Sequence, residues 1–286
     1  MISKVWKKKQ SKKIFLDIVY GTQLRKCKQL RVPFVKKMTE LVDQKLPDKE
    51  IFEKMRVFVH EETRVSIRKH IQHQGHYRGI NRCTKLNNLV KDFKKNPKVL
   101  ETILDIGCGD GSITKTVSDN LKIPKESVHG CDILEPAEKS LNFTFSLIES
   151  PGKLPYENDS FDLVYALMSL HHITELDSML SEIHRVLKDD GIVIIREHDC
   201  VSEELSNVLD LVHGFYSMVW SQPQEMESFE DEYFANYFTA NNLNELIVKQ
   251  NFKRVFGTNR DEEYPLFNQG KVINPLKHYW VVYVKK

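Results

Sequence analysis

The residues best suited to hold a ligand form a glycine-rich turn between positions 104 and 112. Three alternate glycines, Gly107, Gly109 and Gly111, follow Asp105 at the end of a predicted strand and precede a predicted helix. Glycine lets the backbone bend sharply and approach a ligand closely, and a helix N-terminus carries partial positive charge. A dinucleotide-binding turn would have its third glycine where Ser112 stands. The G-x-G-x-G spacing therefore predicts a binding turn for a different ligand.

A second candidate ligand-binding position is Asp132, which lies 27 residues after Asp105 at the end of the second predicted strand. Ligands of open α/β sheets bind at the carboxyl ends of the strands, so a carboxylate there could accept hydrogen bonds from both hydroxyls of a ribose. The alternative interpretation of Asp132 is a helix cap or turn aspartate.

Candidate groups for orienting an acceptor or moving a proton follow the fifth predicted strand. Four polar residues end that strand: Arg196, Glu197, His198 and Asp199. His213 and Tyr216 come next, three residues apart on one face of a predicted helix. We expect His198 to be the acceptor-orienting base. The alternative is that each of these side chains only caps an element or bonds its neighbours.

Four segments carry a family resemblance, in the same order as in that family. The Asp-x-Gly-x-Gly-x-Gly run at 105–111 resembles the first motif of class I S-adenosylmethionine (SAM)-dependent methyltransferases. Residues 154–164, LPYENDSFDLV, resemble the LPF-x-x-x-SFD segment of the methyltransferase type 11 group, and 166–173 and 187–195 resemble its LHH and LKPGG segments. The resemblance covers roughly residues 100–200.

This resemblance implies SAM as cofactor and a set of residues that contact it. The implied cofactor-binding residues are Asp105, Gly107, Cys108, Gly109, Gly111, Asp132, Ile133, Ser150, Ala166 and Met168. Ser150 stands where the family usually has an acidic residue for the adenine amino group, with Glu149 beside it. His171 is placed near the methyl end of the cofactor by the same analogy. No metal site is predicted.

The element pattern agrees with an α/β fold of this type. Strands are expected at 99–106, 127–133, 142–148, 161–167, 191–197, 252–257 and 278–285, and helices between them at 112–121, 175–187, 203–220 and 233–250. The prediction is a Rossmann-like, seven-stranded sheet with a helical lid between strands five and six. Residues 1–95 are expected to form a basic arm over 1–13 that is mobile, followed by helices at 33–46, 48–72 and 80–95 with a break between Gly75 and Gly79. The methyltransferase domain is expected to span 96–286.

Charge is distributed unevenly along the chain. Residues 1–100 carry 26 Lys+Arg against 9 Asp+Glu, net +17, and residues 101–286 carry 16 against 31, net −15. The basic part could bind RNA or another polyanion, or it could fold back over acidic parts of the chain. Five scattered cysteines predict neither disulfides nor zinc, and no apolar run suits a membrane span, so a cytoplasmic location is expected; the Lys7–Lys13 run leaves a nuclear one open.

The resulting functional prediction is a SAM-dependent methyltransferase whose acceptor is a small molecule or RNA. Two alternatives stay open: a non-catalytic SAM-fold subunit that binds nucleic acid or a protein through its basic segment, and an mRNA cap guanine-N7 methyltransferase. The latter rests on residues 85–91, KLNNLVK, which look like the Asn-Asn-x-x-Lys helix of those enzymes. The oligomeric state is not predicted.

Overall fold

The structure is a computed structural model of the 286-residue chain. It describes all residues except 22–23, 25–26, 94–99, 136–141, 221–232 and 259–277, and the side chains of 61–78 and 219–220 also lie outside the description. The described chain forms two compact units. The helical unit comprises residues 1–74 and 200–235, and the sheet unit comprises residues 75–199 and 236–286. The predicted domain boundary after residue 95 falls inside the sheet unit.

The sheet unit contains one seven-stranded sheet with the strand order β3-β2-β1-β4-β5-β7-β6. Its strands are β1 (Ile103–Ile106), β2 (Val128–Asp132), β3 (Thr144–Leu147), β4 (Phe161–Leu167), β5 (Leu187–His198), β6 (Phe252–Thr258) and β7 (His278–Lys285). The first five strands are parallel, and β7 is antiparallel to both β5 and β6. The predicted Rossmann-like, seven-stranded class is confirmed.

Eight α-helices are found in the described part of the chain. They are α1 (Ile2–Lys7), α2 (Lys9–Gly21), α3 (Arg31–Asp43), α4 (Asp48–Phe93), α5 (Ser112–Leu121), α6 (Leu176–Val186), α7 (Glu203–Trp220) and α8 (Ala240–Lys249). Short 3₁₀ turns occupy Lys28–Leu30, Lys125–Ser127 and Leu170–His172. Among the described helices, none combines the length and apolarity needed to cross a membrane.

Alternate residues of a strand pack into two hydrophobic cores, one on each face of the sheet, because successive side chains point to opposite faces. On β5, Val193 and Ile195 join the core that includes α6 and α8, while Ile192 and Ile194 join the core that includes α5 and the end of α4. The strands are therefore buried on both faces, as expected of a mainly parallel sheet.

The prediction of a mobile arm over residues 1–13 is wrong. This segment forms α1 and the start of α2, and Ile2, Val5 and Trp6 are buried. Trp6 packs edge-on to Phe15 and donates its indole N–H to Thr39 Oγ1 at 3.0 Å. The high lysine content predicts a solvated segment, but the few apolar residues lie on one helix face and are buried.

Two helix predictions also need correction. The expected break between Gly75 and Gly79 is absent, since α4 runs continuously from Asp48 to Phe93. A glycine within a helix costs only about 1 kcal/mol. The expected helix at 233–250 begins only at Ala240, where Thr239 caps it by accepting a hydrogen bond from Asn242 N. Residues 233–239 are not helical, and 221–232 and the predicted loop beyond residue 258 lie mainly outside the described residues.

Candidate cofactor and acceptor site

The glycine turn between β1 and α5 is held by backbone hydrogen bonds to β2. Gly107 N and Cys108 N both donate to Cys131 O, at 2.8 and 3.1 Å. Gly107, Gly109 and Gly111 have φ values of +74°, +55° and +72°, in the left-handed region that favours glycine. The alternating glycines predicted from the sequence thus form a sharp turn at the carboxyl end of β1.

Gly107 and Gly109 differ in what surrounds them. A Cβ on Gly107 would overlap Ser169 Cβ and lie 3.0 Å from Ser169 Oγ, so the side chain of Ser169 fills this side of the turn. Ser169 Oγ donates to Ile106 O at 2.6 Å. A Cβ on Gly109 would meet no atom within 4 Å. The space beside Gly109 is therefore open to a ligand.

Asp132 ends β2 next to that open space. Its Oδ2 accepts from Gly109 N at 2.8 Å, and its Oδ1 accepts from Ile133 N at 2.7 Å. Oδ1 also accepts from Leu134 N at 3.4 Å, so the capacity to accept from a ribose hydroxyl is on Oδ2, which has one backbone donor. Ile133 and Leu134 are 62% and 73% exposed, which provides apolar surface beside the carboxylate. This combination of open turn, carboxylate and apolar surface fits a nucleoside such as that of SAM.

Asp105 is buried beneath the turn and has a different environment from Asp132. It is 3% exposed and accepts a hydrogen bond from Thr114 Oγ1 at 2.7 Å. Burial raises the pKa of Asp105 to about 7, although the Thr114 hydrogen bond acts in the opposite direction. Asp105 thus ties β1 to the first turn of α5.

Three further positions implied for the cofactor are distributed along β3 and β4. Ser150 is exposed in the loop after β3, where its carbonyl accepts from Lys153 N at 3.1 Å. Ala166 is buried near the end of β4. Met168 follows β4 with a φ of +68° and donates its backbone N–H to Arg196 O at 2.8 Å.

A buried histidine and a buried glutamate form a hydrogen-bonded pair at the carboxyl ends of β4 and β5. His171 Nδ1 lies 2.8 Å from Glu197 Oε2 and 3.0 Å from Oε1, and the two residues are 1% and 3% exposed. Burial would raise the pKa of Glu197, but the His171 ring and hydrogen bonds from His171 and His198 N lower it overall. Glu197 is therefore a carboxylate, which fixes the Nδ1–H of His171 and leaves its lone pair on Nε2 when the ring is neutral.

Aromatic rings surround this pair. Tyr237 stacks on His171 with a centroid distance of 5.4 Å, and His198 lies edge-on to His171 at 5.3 Å. His278 on β7 lies 4.7 Å from His198. Burial, followed by the charge of Arg196, lowers the pKa of His278 well below its ordinary value, so this ring is neutral. The structure thus brings together His171 and His198 of the predicted catalytic residues.

The other two predicted catalytic residues, His213 and Tyr216, lie on α7 in the helical unit. The ring of His213 contacts Leu209 O through Nδ1 at 2.9 Å and lies 5.6 Å from the ring of Tyr233. The side chains of His213 and Tyr216 are both partly exposed on α7.

Sequence reasoning did not assign two contributors to this site. Glu197 was recognised as one of four polar residues at a strand end, but the sequence does not show which one faces the LHH segment. Tyr237 could not be assigned from the sequence, because the helical pattern at 233–250 includes residues 233–239, which are not helical in the structure. Asn236 N in that stretch donates to His171 O at 2.7 Å. Asp162 of the SFD segment is structural: its Oδ2 accepts from Thr102 N and from Lys188 Nζ, each at 3.0 Å.

Comparison with known proteins agrees with this geometry. Residues 104–195 match the family described as "Methyltransferase domain". A demethylmenaquinone methyltransferase of Lactobacillus johnsonii is 28% identical over 205 residues, covering 64% of this chain and 82% of that protein. The human mitochondrial arginine-hydroxylase NDUFAF5 is 33% identical over 105 residues, covering 34% of this chain and 29% of that protein. The chain therefore spans less than a third of this second relative.

Among solved structures, an S-adenosylmethionine-dependent methyltransferase from Mesorhizobium loti aligns with a TM-score of 0.49 and 15% identity, covering 68% of this chain and 95% of that one.

The fold and the glycine turn, together with the match over residues 104–195, show a class I methyltransferase domain in this part of the chain. This domain and the relatives named methyltransferases support a SAM-dependent methyltransferase activity.

Proposed function

We propose that this enzyme methylates a small acceptor that loses a proton, and that His171 receives that proton with Glu197 as its positioning residue. The observation that carries the proposal is the buried, hydrogen-bonded His171–Glu197 pair. His171 lies two residues after Ser169, whose hydroxyl donates to Ile106 O at the start of the glycine turn.

The cofactor-binding residues are assigned from the geometry of the turn. Asp132 accepts hydrogen bonds from the ribose hydroxyls, the open side of Gly109 faces the ligand, and Ile133 lies beside the nucleoside. Asp105 acts from beneath by holding the turn on α5. When bound, SAM would supply an electrophilic methyl group on a sulfonium, with S-adenosylhomocysteine as the leaving group.

The chain's own contribution is then to align the acceptor and to move a proton. The anionic Glu197 keeps Nδ1 of His171 protonated and stabilises the imidazolium that forms when Nε2 takes a proton from the acceptor. His198 was the first candidate from the sequence, but His171 is the ring hydrogen-bonded to a buried carboxylate. We therefore assign the base to His171 and place His198 and Tyr237 as packing neighbours.

An acceptor with an acidic O–H group suits this arrangement. The demethylmenaquinone methyltransferase relative makes a hydroxylated aromatic ring the first acceptor to test, because a reduced quinone carries two O–H groups. Loss of one proton to His171 raises the nucleophilicity of the ring. After a ring carbon has taken the methyl group, that carbon loses its hydrogen as a proton to water and the ring oxygen regains its proton from the His171 imidazolium.

The cofactor assignment is tested by calorimetric titration with S-adenosylhomocysteine. Asp132→Asn should weaken binding at least about tenfold, because it removes the charge from an acceptor of hydrogen bonds. Asp119→Asn removes the same charge from an exposed position on α5 and should bind like the wild type. Absence of binding by the wild type would reject the cofactor site.

The proton step is tested by release of S-adenosylhomocysteine with reduced demethylmenaquinone. We expect His171→Gln to lower kcat about 100-fold or more and Glu197→Gln to lower it less. Neither variant should change the affinity for S-adenosylhomocysteine. His184→Gln, a control on α6 where the ring packs against Phe252, should leave kcat unchanged. Cofactor binding without turnover would reject this acceptor and leave the cofactor site standing.

RNA remains the alternative acceptor. Residues 1–74 carry 19 Lys+Arg and 8 Asp+Glu, but residues 200–235 of the same unit carry 8 Asp+Glu and no Lys or Arg. Lys4 and Lys8 lie 3.5 and 4.0 Å from the carboxylates of Glu203 and Glu204. This pairing supports the interpretation that the basic segment is partly neutralised within the chain. Steep salt dependence of RNA binding would instead favour an RNA acceptor, including a capped one.

A further inference from the structure

A groove of about 370 Å³ lies on the outer side of the sheet unit, between α8 and strands β6 and β7. It is separate from the glycine turn, since β4 and β5 stand between β1 and β7 in the sheet. Its walls come from Ala240 and Asn244 of α8 and from residues 254–258, 279, 281 and 283 of the two strands.

One end of the groove presents hydrogen-bond donors. Tyr283 Oη donates to Asn244 Oδ1 at 3.1 Å, which leaves the two N–H groups of the same amide as donors. Arg254 pairs with Tyr283 across the strands. Within the described part of the chain, no hydrogen bond or ion pair of the Arg254 guanidinium is found. A guanidinium and an amide N–H that line the same groove favour an acceptor-only group such as a carboxylate.

Apolar side chains form another part of the groove wall. Val255 in this wall is 39% exposed, and the buried Val281 and Tyr279 also line the groove. The pairing of β6 with β7 shifts register between Arg254 and Phe256, which places Arg254 and Val255 at an irregularity of the edge strand. Such bulges re-aim side chains.

The absence of a side chain at Gly257 keeps the groove open. A Cβ there would meet nothing closer than Arg254 Cδ at 3.9 Å and Val281 Cγ2 at 4.0 Å. Gly257 has no positive φ, so its backbone conformation does not require glycine. A larger side chain at this position would therefore occupy the groove without backbone strain.

We propose that this groove is a second ligand site that binds a small aromatic carboxylic acid. The carboxylate lies against Arg254 and Asn244, and the flat apolar body lies along Val255, Gly257 and Val281. The alternative is that Arg254 is only a charged side chain that protects an edge strand from pairing with other chains. The two interpretations differ in whether a ligand saturates the site.

The test is a ¹⁹F NMR titration of the full chain with 4-fluorobenzoate. A ligand of this size should bind with a Kd of about 1 mM. Arg254→Gln should weaken binding about tenfold or more, because it removes a charged hydrogen-bond donor. Gly257→Val should abolish binding by filling the groove. Lys253→Gln is the matched control, since it removes one positive charge from the adjacent exposed residue of β6 and should bind like the wild type.

Three results would overturn the proposal. They are the absence of saturable binding, an equal loss in Lys253→Gln and Arg254→Gln, and displacement of the probe by S-adenosylhomocysteine, which would place it in the cofactor site. The circular dichroism spectrum of Gly257→Val should match that of the wild type, and unaltered binding by a folded Gly257→Val would also contradict this location.

Discussion

Replacing Gly107 by alanine adds one methyl group where the chain has no room for it. At a φ of +74° a residue with a Cβ costs about 1–2 kcal/mol. The new Cβ would also overlap Ser169 Cβ, and forcing such a group into a packed site costs about 1–3 kcal/mol. We therefore expect Gly107→Ala to lower the free energy of unfolding by about 2–5 kcal/mol.

Gly109→Ala is the matched variant, because its φ is also positive but its Cβ would meet nothing within 4 Å. Only the backbone cost of about 1–2 kcal/mol applies. The same methyl group would, however, project into the space that we assign to the cofactor. Gly109→Ala should thus retain most of its stability and lose affinity for S-adenosylhomocysteine.

Urea unfolding followed by circular dichroism measures the stability difference, and calorimetry measures the affinity. Adding Ser169→Gly to Gly107→Ala removes the side chain that the new Cβ overlaps, and should restore the part of the stability lost to the overlap. Equal destabilisation by the two single variants would refute the reasoning, as would full cofactor affinity in a folded Gly109→Ala.

Three further outcomes follow from buried groups. Burial raises the pKa of Asp105 to about 7, so the folded state favours the protonated carboxyl, and this contribution to stability is lost as pH rises from about 4 through 7. The difference from the ordinary aspartate pKa corresponds to about 4 kcal/mol of unfolding free energy. Asp105→Asn should therefore flatten this part of a pH series of urea unfolding. Burial would raise the pKa of Asp162, but Lys188 and hydrogen bonds from the Thr102 N–H and hydroxyl lower it overall. The contribution of Asp162 to folding stability is therefore present at neutral pH and is lost as pH falls through the lowered pKa. Asp162→Ala should reduce the free energy of unfolding at pH 7 by about 3 kcal/mol or more and move the midpoint of acid unfolding closer to neutral pH. Trp6→Ala should destabilise the helical unit by about 3–5 kcal/mol in thermal unfolding, whereas a solvated arm would tolerate it without change.

The strands could be predicted closely because their residues are buried on both faces. Short β-branched runs between helical patterns have few other interpretations, and β4 and β7 begin and end where the sequence indicates. The N-terminal helices were harder to predict, since the six lysines within residues 1–13 dominate the composition while only a few apolar residues decide the packing.

The candidate site was predictable to the level of its turn and its carboxylate. The turn at Gly107 and Gly109 and the place of Asp132 at a strand end follow from spacing and strand pattern, because backbone geometry and strand ends restrict the choice; the cofactor expected there follows from the family resemblance. The pairing of His171 with Glu197 does not, since it depends on how two neighbouring strands end relative to each other in space. Side-chain partners across a sheet are set by register, which a single sequence does not reveal.

The antiparallel strand β7 has a consequence for the order in which the molecule can assemble during synthesis. It lies between β5 and β6, yet it follows both in the chain, and 80 residues separate His198 from its cross-strand neighbour His278. A nascent chain that has emerged only as far as β6 can form the five parallel strands and the glycine turn, but β6 has no neighbour and His278 is missing beside His198. The nucleoside side of the site can therefore form early on the ribosome, whereas the histidine cluster is completed only when β7 is inserted.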